Sequence, residues 1–381
     1  MSDEQCVIID NGSGTIKVGL TGSSTPSFAI PSVIGTPRAK FKEKMEDEYY
    51  GDEAIDNIDF LSLEYPIDHG HISDFDAMEK LWDYSFKRLG IHSDCRPALL
   101  TEPPFCSPNH RIKMAEIFFE KFNVDDLNIS VSGLLAMYGL GRLTGTILDI
   151  GEGVTQCLPV IEGYIEKGSI QRVDFGGLEL TMYLQKMLCE RGYYLTSRAD
   201  FELVRKIKEE HCFCSLDPYK DENRSDLHSR YTLPDGSVLR DGETNEIELT
   251  LEKFYVCEAL FNPTIVHSDA PSIVKTVWNA ITNSPIQQRT TLTDNIFISG
   301  GSSLFENIDK RLEMELRDIA PPGGRSKIKV TAPPDRHTLS WKGGSILSEP
   351  NLKDISSSKW ISKMDWEESG AEIVLQKSGF D

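Results

Sequence analysis

Along the first twenty residues, an apolar strand pattern is broken once and then resumes. In CVIIDNGSGTIKVGL, residues 6–20, an apolar run ends in an aspartate, a Gly-Ser-Gly turn follows, and apolar positions return. Two β-rich runs around glycines predict a hairpin whose turn allows close approach of another group. The pattern recurs 139 positions later in TGTILDIGEGVTQCLPVIEG, residues 144–163. Again a strand ends in Asp, a G-x-G turn follows, and an apolar strand returns. Two such hairpins, each opening an α/β unit, predict a duplicated fold whose two lobes face one cleft.

Between the hairpins the period changes to that of helices. In DAMEKLWDYSFKRLG, Met78, Leu81, Trp82, Phe86 and Leu89 fall three and four apart. NHRIKMAEIFFEKF repeats this with Ile112, Ala115, Phe118, Phe119 and Phe122, and its Asn109 reads as the cap. PALLTEP, residues 97–103, predicts a short buried strand. Residues 38–50, RAKFKEKMEDEYY, show little apolar period and predict an exposed, mobile loop. Residues 216–245, charged and carrying a PDG turn, predict a surface excursion of the second lobe. In DNIFISGGSSLFENIDKRL, residues 294–312, a strand runs into Gly300-Gly301-Ser302 and then a helix, which would aim helix N–H groups at the cleft. WKGGSIL, residues 341–347, reads as one more tight turn into an apolar helix.

Composition narrows the class. The 381 residues are 39% hydrophobic and 26% charged, which suits a soluble bilobed protein with a sizeable core. A net charge of −20 argues against direct nucleic-acid binding and against anionic membrane surfaces. No apolar run reaches membrane-spanning length. The start, MSDEQCVIID, lacks the pattern of a secretory leader, so the eight scattered cysteines are expected as reduced thiols. HCFC, residues 211–214, has no second ligand pair at zinc spacing and reads as the end of a helix running into a strand.

The glycine turns are candidates for phosphate binding. Gly12-Ser13-Gly14 and Gly151-Glu152-Gly153 can present backbone N–H groups without a Cβ in the way, and Lys17 can neutralise phosphate charge. Asp10 and Asp149, at the strand ends, suit a divalent cation held mainly through water. In FELVRKIKEEHC, Arg205, Lys208 and Glu209 share one helix face, which spacing alone reads as a solvated charged face.

These residues carry a resemblance to the actin family over nearly the whole chain. IDNGSGTIKVG, YPIDHGHISDFDAMEKLWDYSF, LLTEPP, RLTGTILDIGEGVTQ, VRKIKEE, LPDGS, EALFNP, ISGGSSLF, TAPPDR and WISKMDWEESGAEIV follow the family's order. The resemblance implies an α/β actin/Hsp70/sugar-kinase fold, duplicated and ribonuclease H-like, with two lobes in four subdomains around a nucleotide cleft. Residues 1–31, 66–139 and 338–381 would form the first subdomain and 32–65 the second. Residues 140–175 and 266–337 would form the third and 176–265 the fourth. It also implies ATP or ADP with Mg²⁺ or Ca²⁺. Asp10, Gly12, Ser13, Gly14, Lys17, Asp149, Gly151, Glu152, Gly153 and Val154 would hold phosphates and metal, with Asp10, Asp149 and Glu152 on the metal through water. Gly177, Arg205, Lys208, Glu209, Gly300, Gly301, Ser302, Phe305 and His337 would line the adenosine pocket, His337 replacing a lysine. His69 matches a histidine that is often methylated in the family.

The departures bear on function. The family hydrolyses ATP with a glutamine and a histidine that position water, and these positions are Ser132 and Gln156 here. Serine is too short to reach the same water, and the Gln156 amide is a poor proton acceptor. Hydrolysis is therefore expected to be slow or absent. Filament surfaces differ too. The loop after Arg38 is shorter than in conventional actin and lacks its Gly-Met-Gly tip, and the apolar plug reads IVHS at 265–268. ETNEIEL is inserted after the PDG turn, and Ser378 stands where a cysteine is usual. The leading expectation is an actin-related structural subunit of a short filament or multiprotein cytoskeletal complex, partnered by actin-fold and actin-complex proteins in the cytoplasm. Several segments, FFEKFNV among them, are similar to the centractin type as well as to conventional actin. Alternatives are a conventional polymerising, hydrolysing actin from a divergent lineage, and a nuclear chromatin-remodelling subunit. A small-molecule kinase would need a substrate-facing carboxylate base that the sequence does not offer. An Hsp70-like chaperone would need a further peptide-binding domain.

Overall fold

The computed structural model describes residues 5–233 and 245–377. Both sequence hairpins form, and each sits at the centre of a sheet. In the first, Val7–Asn11 pairs antiparallel with Thr15–Leu20 and parallel with Ala98–Glu102. That sheet has six strands in the spatial order 361–362, 126–131, 98–102, 7–11, 15–20, 28–31. In the second, Gly145–Ile150 pairs antiparallel with Thr155–Ile161 and parallel with Ile296–Ser299, which pairs parallel with Val330–Thr331. The same pairing scheme in two sheets is the duplication that the repeated Asp-x-Gly-x-Gly pattern predicts. The central strands are buried on both faces, so they read as apolar runs rather than alternating ones.

Each lobe has its own core. One gathers Ile9, Val18, Met78, Trp82 and Phe118. The other gathers Leu148, Leu184, Val204, Val277, Ile298 and Leu312. Helix Phe75–Leu89 starts on the Asp74 side chain, which accepts from the Ala77 N–H, and ends on Gly90 at φ 69°. Its predicted apolar stripe packs on Phe118, whose ring centroid lies 5.0 Å from that of Trp82.

The lobes meet around two helices. Ser132–Gly139 is buried on nearly every side: Leu135 packs with Ile8, Leu99 and Trp341, while Leu134 and Met137 pack with Ile147 and Leu158 of the second sheet. It crosses Leu339–Leu347, which contains the WKGGSIL segment. That segment is helix throughout, so the expected tight turn is not there. Its glycines serve close packing instead: a Cβ on Gly343 would lie 1.7 Å from the Leu135 carbonyl oxygen.

Other local expectations are corrected. Ser107, not Asn109, caps the helix Pro108–Glu116, with Pro108 in the first turn where its missing N–H costs nothing. The Phe-rich end continues as a π-helical turn, Ile117–Lys121. The 38–50 stretch is largely exposed, but Tyr49–Tyr50 closes it as a strand on Ile34–Gly35, anchored where Tyr50 stacks on Tyr84 at 5.2 Å. HCFC leaves its helix at Cys212 without entering a strand. After Gly300 comes a short 3₁₀ turn, Gly301–Ser303, and the α-helix begins only at Ile308, so its N–H groups do not follow directly on the glycines. IVHS folds back as a 3₁₀ turn: Ile265 and Val266 pack on their own lobe's core, and His267 at φ 59° faces outward. Ser229–Thr232 and Glu246–Leu249 pair as a hairpin. The PDG turn, the start of ETNEIEL and Ser378 lie outside the described residues. All eight cysteines are unpaired. Among the described residues, no helix is long and apolar enough to cross a membrane.

Candidate functional site

The two hairpin turns meet at the mouth of a cleft of about 670 Å³ between the lobes. That volume suits a ligand of nucleotide size. The turns touch: a Cβ on Gly14 would fall 2.9 Å from the Glu152 Cβ, and one on Gly153 would fall 3.1 Å from Ser13 Oγ. Glycine at these positions is what lets the loops close on each other. Gly12 N–H folds back on the Asp10 carbonyl and Gly151 N–H on the Val154 carbonyl. The N–H groups of Ser13, Gly14, Glu152 and Gly153 form no hydrogen bond inside the described protein, and all four residues line the cleft. Such a nest of backbone donors favours an anion.

Carboxylates sit beneath the turns. Asp10 accepts from Thr101 Oγ1 at 2.9 Å and from Lys17 Nζ at 3.0 Å. Asp149 accepts from Ser299 Oγ at 2.6 Å and from Gln156 Nε2 at 2.7 Å. One side of Asp149 opens to the cleft and the rest is enclosed. That enclosure pushes its carboxyl above the usual carboxylate range, against the pull of its two donors, and the nearby Asp10 charge adds to the rise. Both carboxylates stand one residue before the end of a paired strand and at the same register position, Asp10 opposite Lys17 and Asp149 opposite Gln156, and both line the cleft.

Gln156 and Ser132 lie next to Asp149. The Gln156 Nε2 also donates to Ser132 Oγ at 2.8 Å, so one amide is shared between a hydroxyl and a carboxylate. Gln156 is 3% exposed, and its Oε1 is buried without a partner among the described residues.

The remaining wall is built from glycines and a buried cation. Gly177 does not line the cleft itself. It stands just behind it, donating to the Gly151 carbonyl at 3.0 Å, and a Cβ there would lie 2.2 Å from Ser302 Oγ and 2.3 Å from Glu152 Oε2. Lys208 is almost fully buried and donates to the Gly177 carbonyl and Thr181 Oγ1, both at 2.8 Å, with Glu152 Oε2 3.9 Å away. Arg205 pairs with Glu202 at 2.7 Å, yet its buried Nε has no acceptor among the described residues. The helix face that spacing reads as solvated is thus turned into the cleft, with only Glu209 exposed. Gly300, at φ 93°, has Ile150 backbone where a Cβ would be, while Gly301 faces open space. Ser302, Phe305 and His337 complete this side. Partial burial and the Lys17 charge hold the His337 imidazole below its ordinary pKa.

Every residue nominated for nucleotide, metal or hydrolysis except Gly177 lines the same cleft, Ser132, Gln156 and Val154 included, and His69 lies outside its lining. Sequence reading overlooked Thr101, whose hydroxyl accepts from the Asn11 N–H and donates to Asp10, and Arg336, whose carbonyl accepts the Gly300 N–H. Thr101 is the next-to-last residue of the buried strand in PALLTEP, a position that a strand-end rule for α/β sheets could have flagged. The Actin family model matches residues 1–379.

Proposed function

Because the chain belongs to the actin family, we propose that it binds ATP or ADP with a divalent cation in this cleft and hydrolyses ATP slowly or not at all. Its fold is that of actin, Hsp70 and the sugar kinases. The fit to a nucleotide rests on the four uncommitted backbone donors, the open space beside Gly301, and the unsatisfied Arg205 Nε. Asp10, Asp149 and Glu152 are the carboxylates that would hold Mg²⁺ or Ca²⁺ through its waters, and the ion would supply charge neutralisation to the phosphates. Lys17 and Lys208 bring positive charge to the same wall. A bound nucleotide would brace the lobes against opening by mass action.

The observation that carries the hydrolysis reading is the Ser132–Gln156–Asp149 chain. The Gln156 Nε2 is shared between Ser132 and Asp149, and neither hydroxyl nor amide is a useful proton acceptor near neutral pH. Such a protein acts as a nucleotide-braced structural subunit. We place it in a short filament or a multiprotein cytoskeletal complex in the cytoplasm, with actin-fold subunits and actin-complex proteins as partners. The differing filament surfaces, including the outward His267, favour this over conventional self-polymerisation. Single-turnover phosphate release tests the reading. ATP should bind and persist, and the Ser132→Gln/Gln156→His double variant should release phosphate much faster than wild type. Release by wild type as fast as conventional actin run in parallel would overturn it. Sedimentation in Mg²⁺ and salt tests the assembly part: a pellet like that of conventional actin would overturn that part alone.

A further inference from the structure

Outside the cleft, three side chains of different segments converge. The ligand atoms of His71, Cys106 and His110 all lie within 4.8 Å of one another. His71 is on a two-residue strand that pairs with Ile67–Asp68, Cys106 is in the loop after Ala98–Glu102, and His110 is in the first turn of the helix Pro108–Glu116. The His71 and His110 rings meet edge to face with centroids 6.0 Å apart. Cys106 is buried, and His110 Nδ1 is a buried nitrogen with no hydrogen-bond partner among the described residues. A buried imidazole nitrogen left unpaired costs stability unless something coordinates or bonds it.

The loops bearing the first two ligands are already held. Arg172 of the second lobe donates to the His69 carbonyl at 2.6 Å and to the Pro104 carbonyl at 3.2 Å, two residues before His71 and two before Cys106. One side chain therefore clamps both loops in register. The residues leading into the ligands, His69 at φ 44° and Phe105 at φ 63°, take left-handed backbone.

We propose that His71, Cys106 and His110 form a zinc-class transition-metal site. Two imidazoles and one thiolate are a borderline-soft donor set that selects Zn²⁺ over Mg²⁺ or Ca²⁺. In tetrahedral zinc the ligand atoms stand roughly 3.4 Å apart, so the three side chains close inward by about an ångström or slightly more through rotation about their own bonds. Water takes the fourth position, since the adjacent Glu102 is committed to Arg111, whose Nε donates to both carboxylate oxygens at 2.8 Å. Charges around the site oppose one another. Arg172 disfavours a cation and Arg111 is offset by its partner Glu102, while Asp68, Asp174 and the thiolate itself favour it. The metal staples the 67–72 turn to the 102–110 loop. Both carry cleft-lining residues, Gly70 on the first and Glu102 and Pro103 on the second, and Gly70 N–H donates to Ser13 Oγ at 2.8 Å. The site thereby stiffens one rim of the cleft.

The test uses full-length protein stripped with chelator and titrated with Zn²⁺ against a chromophoric competitor, with Co²⁺ as a spectroscopic probe. One equivalent should bind, and the Co²⁺ form should show thiolate-to-cobalt charge transfer together with tetrahedral ligand-field bands. Loss of an outer-shell partner already weakens metal sites by about 10–100-fold, so Cys106→Ser should weaken binding at least about 100-fold and abolish the charge-transfer band. His71→Ile, a strand-compatible change at a half-buried position, should weaken binding comparably while metal-free circular dichroism stays that of wild type. No retained equivalent in wild type overturns the proposal. So does unaltered binding in both variants, which would put the metal elsewhere, for instance at Cys212 and Cys214.

Discussion

Gly343→Ala tests how the lobes are joined. The new Cβ would lie 1.7 Å from the Leu135 oxygen, 2.5 Å from the Leu135 carbonyl carbon and 2.9 Å from the Gly139 nitrogen. All three are backbone atoms, so no rotamer relieves the clash. The closest ordinary carbon–oxygen approach is about 3.3 Å, and the helices must therefore part by about 1.6 Å. The Ser132–Gly139 helix cannot retreat, because both sheets pack on it. Separation would loosen Leu135, Leu339 and Trp341, the last of which donates Nε1 to the Ile8 carbonyl at 3.2 Å. Overpacking of this kind costs about 3 kcal/mol or more, against about 1 kcal/mol returned by alanine's helix propensity. A net loss of at least about 2 kcal/mol is expected in denaturant unfolding of the nucleotide-free protein. Gly168→Ala, where a Cβ meets nothing within 4 Å, is the control and should stay within about 0.5 kcal/mol of wild type. Ser132, at the start of the helix that Gly343 abuts, lines the cleft, so Gly343→Ala should also weaken ATP binding. If Gly343→Ala unfolds like Gly168→Ala, the backbone contact between these helices is not as described.

Three further outcomes are expected. Gln156→Leu removes a donor from Asp149 but also removes the unpartnered Oε1, so the net loss should be only about 1 kcal/mol by equilibrium unfolding; a loss above about 3 kcal/mol would mean that Oε1 is satisfied in solution. Arg311→Met strands Glu258, which the guanidinium holds through two bonds at 2.9 and 3.2 Å in a mostly buried setting, and should cost about 3 kcal/mol; urea titration reads it, and a neutral result would refute the pairing. Asp365 accepts from Lys377 and from the Ser362 N–H, which lowers its carboxyl from 3.8 to about 2. A depressed acid stabilises the fold above its unfolded pKa and loses that contribution as pH falls through its folded value. Since the pair is about one-third exposed, solvent screening discounts the effect. Asp365→Asn should therefore cost about 0.5–1 kcal/mol at pH 7, a deficit that closes between pH 4 and about 2 in thermal melts. A deficit unchanged at the acid end would show that capping, not charge, is lost.

The sequence by itself determined the elements whose cause is local. Alternating and apolar runs around Gly-Ser-Gly and Gly-Glu-Gly made two hairpins, and the 3.6-residue stripe through Met78, Trp82 and Phe86 made a helix, because backbone freedom and burial of one face act over a few residues. The chemistry at the cleft was legible for the same reason: Asp10 and Asp149 end strands, and the glycines between strands can only be turns. Where tertiary contacts outweighed local preference, the reading missed. Gly343 and Gly344 look like a turn but sit in a helix, since only a glycine surface lets that helix reach the Leu135 backbone. Lys208 looks solvated but is buried, because carbonyl and hydroxyl acceptors arrive from a helix some thirty residues earlier in the chain, and Arg205 beside it is half-buried against Glu202. The joining of Gln156 to both Ser132 and Asp149, and of His71 to Cys106 and His110, was decided only by the fold, which brings together atoms that no spacing rule relates.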